Sequence, residues 1–205
     1  MTPHRPTLPL MPARAPAPLH HRAAENLAFI RSTLERSGQF TAVPGRGGVI
    51  MGLVALAGAW LAHRQSDTAS WLMVWIATAC IGFSVALVSI VWKARAARVP
   101  LLAGPGRKFA FALAPSLVVA VLLTLPLAAS GQSELLPALW LLLYGTAVTA
   151  SGAFSIPAVG VMGIAYLALG AAALSTPHWG DFYLAAGFGG LDIGFGIWIW
   201  RRHGG

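Results

Sequence analysis

The chain has 205 residues, of which 57% are hydrophobic and 10% are charged, and its mean hydropathy is +0.70. Soluble domains carry about 25% charged residues, so this composition excludes an ordinary water-soluble domain. The formal net charge of +8 is not accompanied by a separate basic domain, and we predict no nucleic-acid partner. The single cysteine, Cys80, excludes an intrachain disulfide and any metal site built from several cysteines.

Residues 1–22 are the first segment of the chain. They contain six prolines and no apolar run, so they cannot bury enough apolar surface to fold and are predicted to be a disordered tail. The same segment lacks the apolar core of a signal peptide, and none is predicted.

Residues 23–37 have a different pattern, with apolar side chains at helical spacing. The apolar positions are Ala23, Leu27, Ile30 and Leu34. Gly38 follows as a helix stop. The pattern predicts a short amphipathic helix on the cytoplasmic membrane surface or against the bundle; docking of a partner protein is the alternative. Residues 38–48 then form a linker to the first membrane span.

Six apolar runs follow the linker. A helix rises about 1.5 Å per residue and crosses a hydrocarbon core of about 30 Å in roughly 20 residues. The runs are residues 49–62, 71–92, 109–129, 135–153, 157–174 and 182–200. They have almost no polar face, which argues against a soluble helical bundle. We therefore predict an all-α integral membrane protein, with a six-helix transmembrane domain at 49–200 and a tail at 201–205.

The distribution of Lys and Arg predicts the orientation of the chain. With six spans, 13 of the 14 basic residues fall on one side of the membrane, and Arg64 falls on the other. Cytoplasmic loops are the ones enriched in Lys and Arg. Both termini are therefore predicted to be cytoplasmic, in a bacterial plasma (inner) membrane. The acids Asp67, Glu134 and Asp181 lie on the opposite side.

Four parts of residues 23–205 carry a resemblance to other proteins. They are Glu25-Asn26-Leu27-Ala28-Phe29-Ile30-Arg31 through Phe40-Thr41-Ala42-Val43-Pro44-Gly45, then Gly104-Pro105-Gly106-Arg107-Lys108-Phe109, Leu141-Leu142-Leu143-Tyr144-Gly145 and Gly187-Phe188-Gly189-Gly190-Leu191. In these parts the chain resembles an uncharacterised family of bacterial six-span integral membrane proteins. The resemblance implies the fold and the membrane location, and it implies no activity.

Catalytic and cofactor sites were sought among the polar residues of the spans. A haem held by two histidines needs them on facing helices, but the six histidines all lie outside the apolar runs. They are His4, His20, His21, His63, His178 and His203. Ser84, Ser89 and Ser116 lie within runs without a basic partner at the same depth. We predict no cofactor, no metal and no catalytic group.

Asp192 is the one charged residue near the middle of an apolar run. An ionisable side chain at this depth costs about 2.5–3.5 kcal/mol, so it should face protein or water. Three roles are open. Asp192 can be a protonated acid bonded to another helix, because burial disfavours the charged form. It can line a polar cavity for proton or solute movement, or bind a polar group of a partner protein. Its predicted intramembrane partners are Tyr144, Thr146, Thr149 and Tyr166.

The run that contains Asp192 is rich in small residues, which allow helices to approach closely. One stripe consists of Ala186, Gly190 and Gly194. A second, on a different face, consists of Ala185, Gly189, Asp192 and Gly196. The two stripes predict close packing of this helix on two sides.

A cluster of cations lies between the second and third runs. It consists of Lys93, Arg95, Arg98, Arg107 and Lys108. The last two follow Gly104-Pro105-Gly106, and a glycine-rich start of a helix can bind anions. We predict contact with anionic phospholipid headgroups; a purely topological role of these charges explains them equally well.

These observations favour a non-enzymatic membrane protein with a structural, accessory or regulatory role. Its predicted partners are the lipid bilayer and either another membrane protein or further copies of the chain. The alternative is a small transporter or channel that uses Asp192. Pro115 and Pro126 in the third run support that alternative, because prolines can kink a membrane helix. A membrane enzyme acting on lipid is a third, more remote hypothesis.

Overall fold

The computed structural model describes residues 26–27, 29–30, 38–97, 101 and 104–203. The predicted tail at 1–22 lies outside the described residues, as do most of the predicted amphipathic helix at 23–37 and Arg98. Of that helix, Asn26, Leu27, Phe29 and Ile30 are described, and they are helical with exposed side chains. They belong to a unit separate from residues 37–205.

From residue 38 to residue 203 the described chain is helical and contains no strand. Its helices are α1 (Gly45–Ala62), α2 (Thr68–Ala96), α3 (Gly104–Ala129), α4 (Leu136–Gly152), α5 (Pro157–Ser175), α6 (Gly180–Leu184) and α7 (Asp192–His203). A π-helical segment, Ala185–Leu191, connects α6 to α7, and we call these three elements together the sixth span. Short 3₁₀ turns at Ser133–Leu135 and Pro177–Trp179 precede α4 and α6.

The six spans are each long and apolar enough to cross a membrane, which confirms the prediction of an all-α multi-pass membrane protein. Helix α1 begins four residues before the apolar run at Val49, and the added turn brings its length to 18 residues. The fourth and fifth spans are separate, because α4 ends at Gly152 and α5 begins at Pro157. Proline suits this first position, since its missing N–H has no partner there in any helix.

Four spans form the centre of the bundle, and two lie outside it. Helix α1 packs against the sixth span, which also contacts α4 and α5. Helix α2 packs on α1, and α3 packs on α4. Burial differs among the spans when the most apolar 18 residues of each are compared. The buried share of these residues is 44% in the fourth span, 11% in the third and zero in the second. The outer helices therefore have few fully buried residues.

Helix α1 meets the sixth span through glycines on both sides. A Cβ atom on Gly52 would lie 2.7 Å from the Gly189 carbonyl oxygen, and one on Gly196 would lie 2.7 Å from the Val49 nitrogen. Such distances are too short for a real side chain, so the two backbones touch directly. Gly45 belongs to the same contact, because its Cβ would collide with the backbone of Trp200.

The segment at 38–44, which precedes α1, is attached to three other elements. The Phe40 ring is 2% exposed and lies 4.9 Å from the ring of Phe109 on α3. The Phe40 N–H donates to the Phe154 carbonyl at 2.8 Å. Lys93 of α2 donates to the Val43 carbonyl, also at 2.8 Å. The segment predicted as a linker is therefore a packed part of the bundle.

Asp181 connects two spans at the other end of the bundle. The indole nitrogen of Trp71, in the first turn of α2, donates to one carboxylate oxygen of Asp181 at 2.7 Å. The second carboxylate oxygen lies 3.6 Å from Nδ1 of His63, which follows α1 and is 83% exposed. The starts of α2 and α6 are thus held together by one carboxylate.

Candidate functional site: a buried carboxyl beside a π-helical segment

Asp192 is the first residue of α7, directly after the π-helical segment. The segment reads Ala-Ala-Gly-Phe-Gly-Gly-Leu, and glycine is a poor helix former because it has the most backbone freedom to lose. A π turn inserts one extra residue into a helix and is common at functional sites. At this position Asp192 is 2% exposed.

The backbone of α1 covers one side of Asp192. A Cβ atom on Gly48 would lie 3.4 Å from the Asp192 carbonyl oxygen. The same Cβ atom would lie 3.2 Å from Cα of Gly196, so α1 and α7 are in close backbone contact beside Asp192.

Tyr166 of α5 is the hydrogen-bond partner of the Asp192 side chain. Its hydroxyl oxygen lies 2.7 Å from Oδ1 of Asp192 and 3.0 Å from the carbonyl oxygen of Gly187. The Tyr166 side chain is fully buried. Gly187 is required beside it, because a Cβ atom there would lie 3.2 Å from Cε1 of Tyr166 and 2.5 Å from Leu141. One hydroxyl group thus joins α5 to both the π-helical segment and α7.

Three aromatic rings pack together at this site. The rings of Tyr144 and Tyr166 are 4.8 Å apart, those of Tyr144 and Phe188 are 5.0 Å apart, and those of Tyr166 and Phe188 are 5.4 Å apart. Edge-to-face contacts of this kind stabilise beyond the area they bury. Because the rings touch each other, they leave no space between them for a bound ion or solute. The Tyr144 hydroxyl forms no hydrogen bond with the residues that the structure describes.

The two threonines predicted as partners of Asp192 bond within α4 instead. The Thr146 hydroxyl donates to the Leu142 carbonyl at 2.8 Å, and the Thr149 hydroxyl donates to the Gly145 carbonyl at 2.7 Å. Each bond runs to the preceding turn, the usual arrangement for a threonine in a membrane helix. Of the four predicted partners, the structure brings Tyr166 and Tyr144 to the site.

The two small-residue stripes of the sixth span have different surroundings. Gly189 and Gly196, which share a face with Asp192, pack against α1. Gly190 and Gly194 are exposed, and a Cβ atom on either would meet nothing within 4 Å. Helix packing within the chain therefore uses the stripe that contains Asp192.

The cations predicted to contact lipid lie in different surroundings. Lys93 donates to the Val43 carbonyl, and Lys108 lies 5.9 Å from the Phe154 ring. Arg95 and Arg107 are exposed. Arg98 lies outside the described residues. The described part of the chain contains no group of three His, Cys, Asp or Glu residues that could hold a metal ion.

Phe40, Ser155 and the Gly187 carbonyl were not predicted from the sequence as important residues. The Ser155 hydroxyl donates to the Phe40 carbonyl at 2.7 Å. The position of Phe40, a single phenylalanine among small and polar linker residues, could have predicted that the linker packs on the bundle. No sequence feature predicts the role of a particular backbone carbonyl, although the three glycines between 187 and 190 indicate a helix that departs from α geometry.

Comparisons with protein-family models, with curated proteins and with solved structures find no match. The described residues contain six helices that are long and apolar enough to cross a membrane, which indicates a multi-pass membrane protein. The site around Asp192 and the chemistry of its neighbours are therefore the basis for inferring the role of the protein.

Proposed function

We propose that the chain is a non-enzymatic integral membrane protein with a structural, accessory or regulatory role, in which Asp192 is a contact between helices. The observation that carries this proposal is the burial of Asp192, 2% exposed, with its carboxyl held by Tyr166. A carboxyl that is closed in by protein and bonded to a neighbouring helix stabilises the assembly of spans. One that handles a solute needs an open polar path.

The chemistry of the neighbours supports the same proposal. The carboxyl is bonded to Tyr166, whose ring packs on those of Tyr144 and Phe188, and glycines of α1 pack on the backbone of the sixth span. Tyrosine hydroxyls and ring edges suit hydrogen bonding and close packing. A nucleophile or a general base would need a partner that takes up a proton at neutral pH. Such a partner is absent from the described residues that pack on Asp192.

The test uses Asp192→Asn and Asp192→Ala in purified protein. Asparagine retains the size of the side chain and an oxygen that can accept from Tyr166, so the variant should assemble and unfold like the wild type. Alanine removes the contact and should lower the free energy of unfolding by about 1–3 kcal/mol. Equal stability of all three proteins would contradict a structural role. Glu134→Gln, at an exposed acid between α3 and α4, is the control.

A small transporter or channel that uses Asp192 is the second candidate. It is favoured by the π-helical segment directly before the acid, because π turns recur at functional sites. Pro115 and Pro126 add little, since their helix α3 packs on α4 rather than on the sixth span. Proton flux into liposomes, abolished by Asp192→Asn without loss of folding, would establish this candidate over the first.

We further propose a bacterial plasma membrane location with both termini in the cytoplasm. The support is the distribution of charge, with Lys93, Arg95, Arg107 and Lys108 at one end of the spans and Asp67 and Asp181 at the other. In a Cys80→Ser background, a membrane-impermeant thiol reagent should label Gln132→Cys in cells with a permeabilised outer membrane. It should label Ala97→Cys only after the inner membrane is opened. The reverse pattern would overturn the orientation.

The proposed partners are anionic phospholipids and either a second membrane protein or further copies of the chain. Replacing Arg95 and Arg107 with glutamine should reduce the anionic lipid retained after purification in detergent, whereas Arg64→Gln, at the other end, should not. An accessory role requires co-purification of a partner after gentle solubilisation. Recovery of only a lone monomer would count against that role.

A further inference from the structure

We infer that Asp192 is a buried proton-binding site and that its proton stabilises the π-helical segment through Tyr166. The inference rests on the proposed role of Asp192 as a helix contact, and it adds the ligand and the element that responds to it. The observation behind it is the pair of oxygen atoms, Oδ1 of Asp192 and the carbonyl oxygen of Gly187, within hydrogen-bond distance of one hydroxyl.

The number of hydrogen atoms shared by Asp192, Tyr166 and the Gly187 carbonyl determines which hydrogen bonds can form among them. A tyrosine hydroxyl has one hydrogen and can donate one bond, but it can also accept. The Gly187 carbonyl can only accept. If Asp192 is ionised, two acceptors compete for one hydrogen, so one of the two short contacts of Tyr166 has no hydrogen between its oxygen atoms. If Asp192 is protonated, its O–H donates to Tyr166, and Tyr166 donates to Gly187, so each short contact has its own hydrogen.

Burial makes the difference between these two arrangements important. A buried polar atom without a partner loses the bonds that water would have made. Asp192 and Tyr166 are both almost completely buried, so water does not replace the missing donor. The protonated chain from Asp192 through Tyr166 to Gly187 is the arrangement that satisfies all three groups.

Removal of the proton has a defined structural effect. The O–H bond of Asp192 breaks, the proton passes to bulk water, and the carboxylate takes the Tyr166 hydrogen. The Gly187 carbonyl then loses its donor from α5, and the π-helical segment loses one of its links to the bundle. The contribution of the bound proton is therefore present at low pH and is lost as the pH rises.

Few other charged groups face this site. The titratable side chains at the site are Tyr166 of α5, which is bonded to Asp192, and Tyr144 of α4, whose ring packs on that of Tyr166. Helix α1 contributes glycines and no titratable group, and its Arg46 lies at the end of the span, against the Trp200 ring. Helix α2 brings Trp71 and Trp75, which do not titrate, to the core cluster that contains Tyr166, and α3 packs mainly on α4. The Asp181–His63 pair lies at the start of the same span, so a pH effect on the π-helical segment is assigned to Asp192 by comparison with Asp192→Asn.

Infrared difference spectroscopy tests the protonation directly. At neutral pH, the wild-type protein in lipid should show a protonated carboxyl band that is missing from Asp192→Asn and still present in Asp181→Asn. The band should shift in Tyr166→Phe, because that variant removes the acceptor of the carboxyl hydrogen. A wild-type spectrum without this band would overturn the inference.

Hydrogen exchange of the peptide that covers Ala185–Leu191 tests the coupling. Each pH is compared with Asp192→Asn at the same pH, which cancels the intrinsic pH dependence of exchange. Exchange in the wild type should rise about three- to tenfold over the variant as the proton is lost, the factor that corresponds to one hydrogen bond. A ratio that stays constant across the pH range would overturn the coupling.

The two proposals fail in different ways. If Asp192 is ionised but structural, the infrared band is absent and Asp192→Ala still destabilises the protein. If Asp192 has no structural role, Asp192→Ala leaves the stability unchanged whatever the infrared spectrum shows. The pair of measurements therefore separates failure of the proton site from failure of the proposed function.

Discussion

The hydroxyl of Ser155 donates a hydrogen bond of 2.7 Å to the carbonyl of Phe40, a residue 115 positions earlier in the chain. Both residues are at most 3% exposed. The bond, together with the return bond from the Phe40 N–H to Phe154, fixes the segment before α1 to the loop between α4 and α5. The segment that leads into the first span therefore belongs to the folded membrane domain.

Replacing Phe40 with alanine should destabilise the protein. The change removes a buried ring that packs on Phe109, and truncations of this kind cost about 3–5 kcal/mol. Ser155→Ala should cost about 1–3 kcal/mol, because it leaves the buried Phe40 carbonyl without its donor. Chemical unfolding in detergent measures both. The control is Phe83→Ala on α2, where the ring is 64% exposed; a loss as large as that of Phe40→Ala would contradict the assignment.

Gly196→Ala and Gly194→Ala form a matched pair on α7. A Cβ atom on Gly196 would collide with α1, whereas one on Gly194 would meet nothing within 4 Å. We expect Gly196→Ala to lower the free energy of unfolding by about 1–3 kcal/mol, as overpacking does. Gly194→Ala should leave it unchanged or slightly raised, since alanine is the better helix former. If Gly194→Ala were the more harmful change, the exposed stripe would have to contact something outside this chain.

Tyr166→Phe should be more harmful than Tyr144→Phe, although both keep the aromatic ring and its packing. The Tyr166 hydroxyl joins Asp192 to Gly187, and its loss removes both contacts, at a cost of about 1–3 kcal/mol. The Tyr144 hydroxyl has no such bond among the described residues. Unfolding measurements on Tyr166→Phe, on Asp192→Ala and on the two changes combined give the coupling energy between the hydroxyl and the carboxyl. A coupling near zero would contradict the contact.

Asp67 should stabilise α2 in a pH-dependent way. Its carboxylate accepts a hydrogen bond from the Ser70 N–H at 2.8 Å, and that bond lowers the pKa of Asp67 below its ordinary value. The stabilisation is therefore complete above the ordinary value, about 3.9, and is lost as the pH falls through the lowered one. Asp67→Ala should be less stable than the wild type at pH 7, and the gap should narrow in acid.

Asp67→Asn is the control for this hydrogen bond at the start of α2. The amide oxygen of asparagine also accepts from the Ser70 N–H, but the amide does not titrate. This variant should remain close to the wild type at neutral pH. A gap between Asp67→Ala and the wild type that is the same at pH 7 and in acid would show that the charge of Asp67 contributes nothing to the helix.

The spans were predictable from the sequence because each is a property of a continuous stretch. A run of about 20 apolar residues can satisfy its backbone groups only as a helix, and this argument found all six spans. The bounds of α1 were less predictable. Gly45 and Gly47 are poor helix formers in isolation, and they are helical here because α1 packs directly on the sixth span and on α2.

The site was predictable only in part, since it depends on which helices become neighbours. The sequence indicated Asp192 as the residue in need of a partner, and it named Tyr166 among four possible ones. The choice of Tyr166 follows from the packing of α5 on the sixth span. The contact of the Gly187 carbonyl with Tyr166 could not be predicted from side chains. That carbonyl belongs to the π-helical segment, which is a feature of the backbone.

The glycine contact between α1 and the sixth span has a consequence for assembly. When a side chain is buried at an interface, it loses rotamer freedom, at a cost that reaches about 1.5–2 kcal/mol for long residues. Gly45, Gly48, Gly52, Gly189 and Gly196 have no rotamers to lose. These glycines therefore reduce the side-chain entropy that is lost when the first and last spans of the chain join.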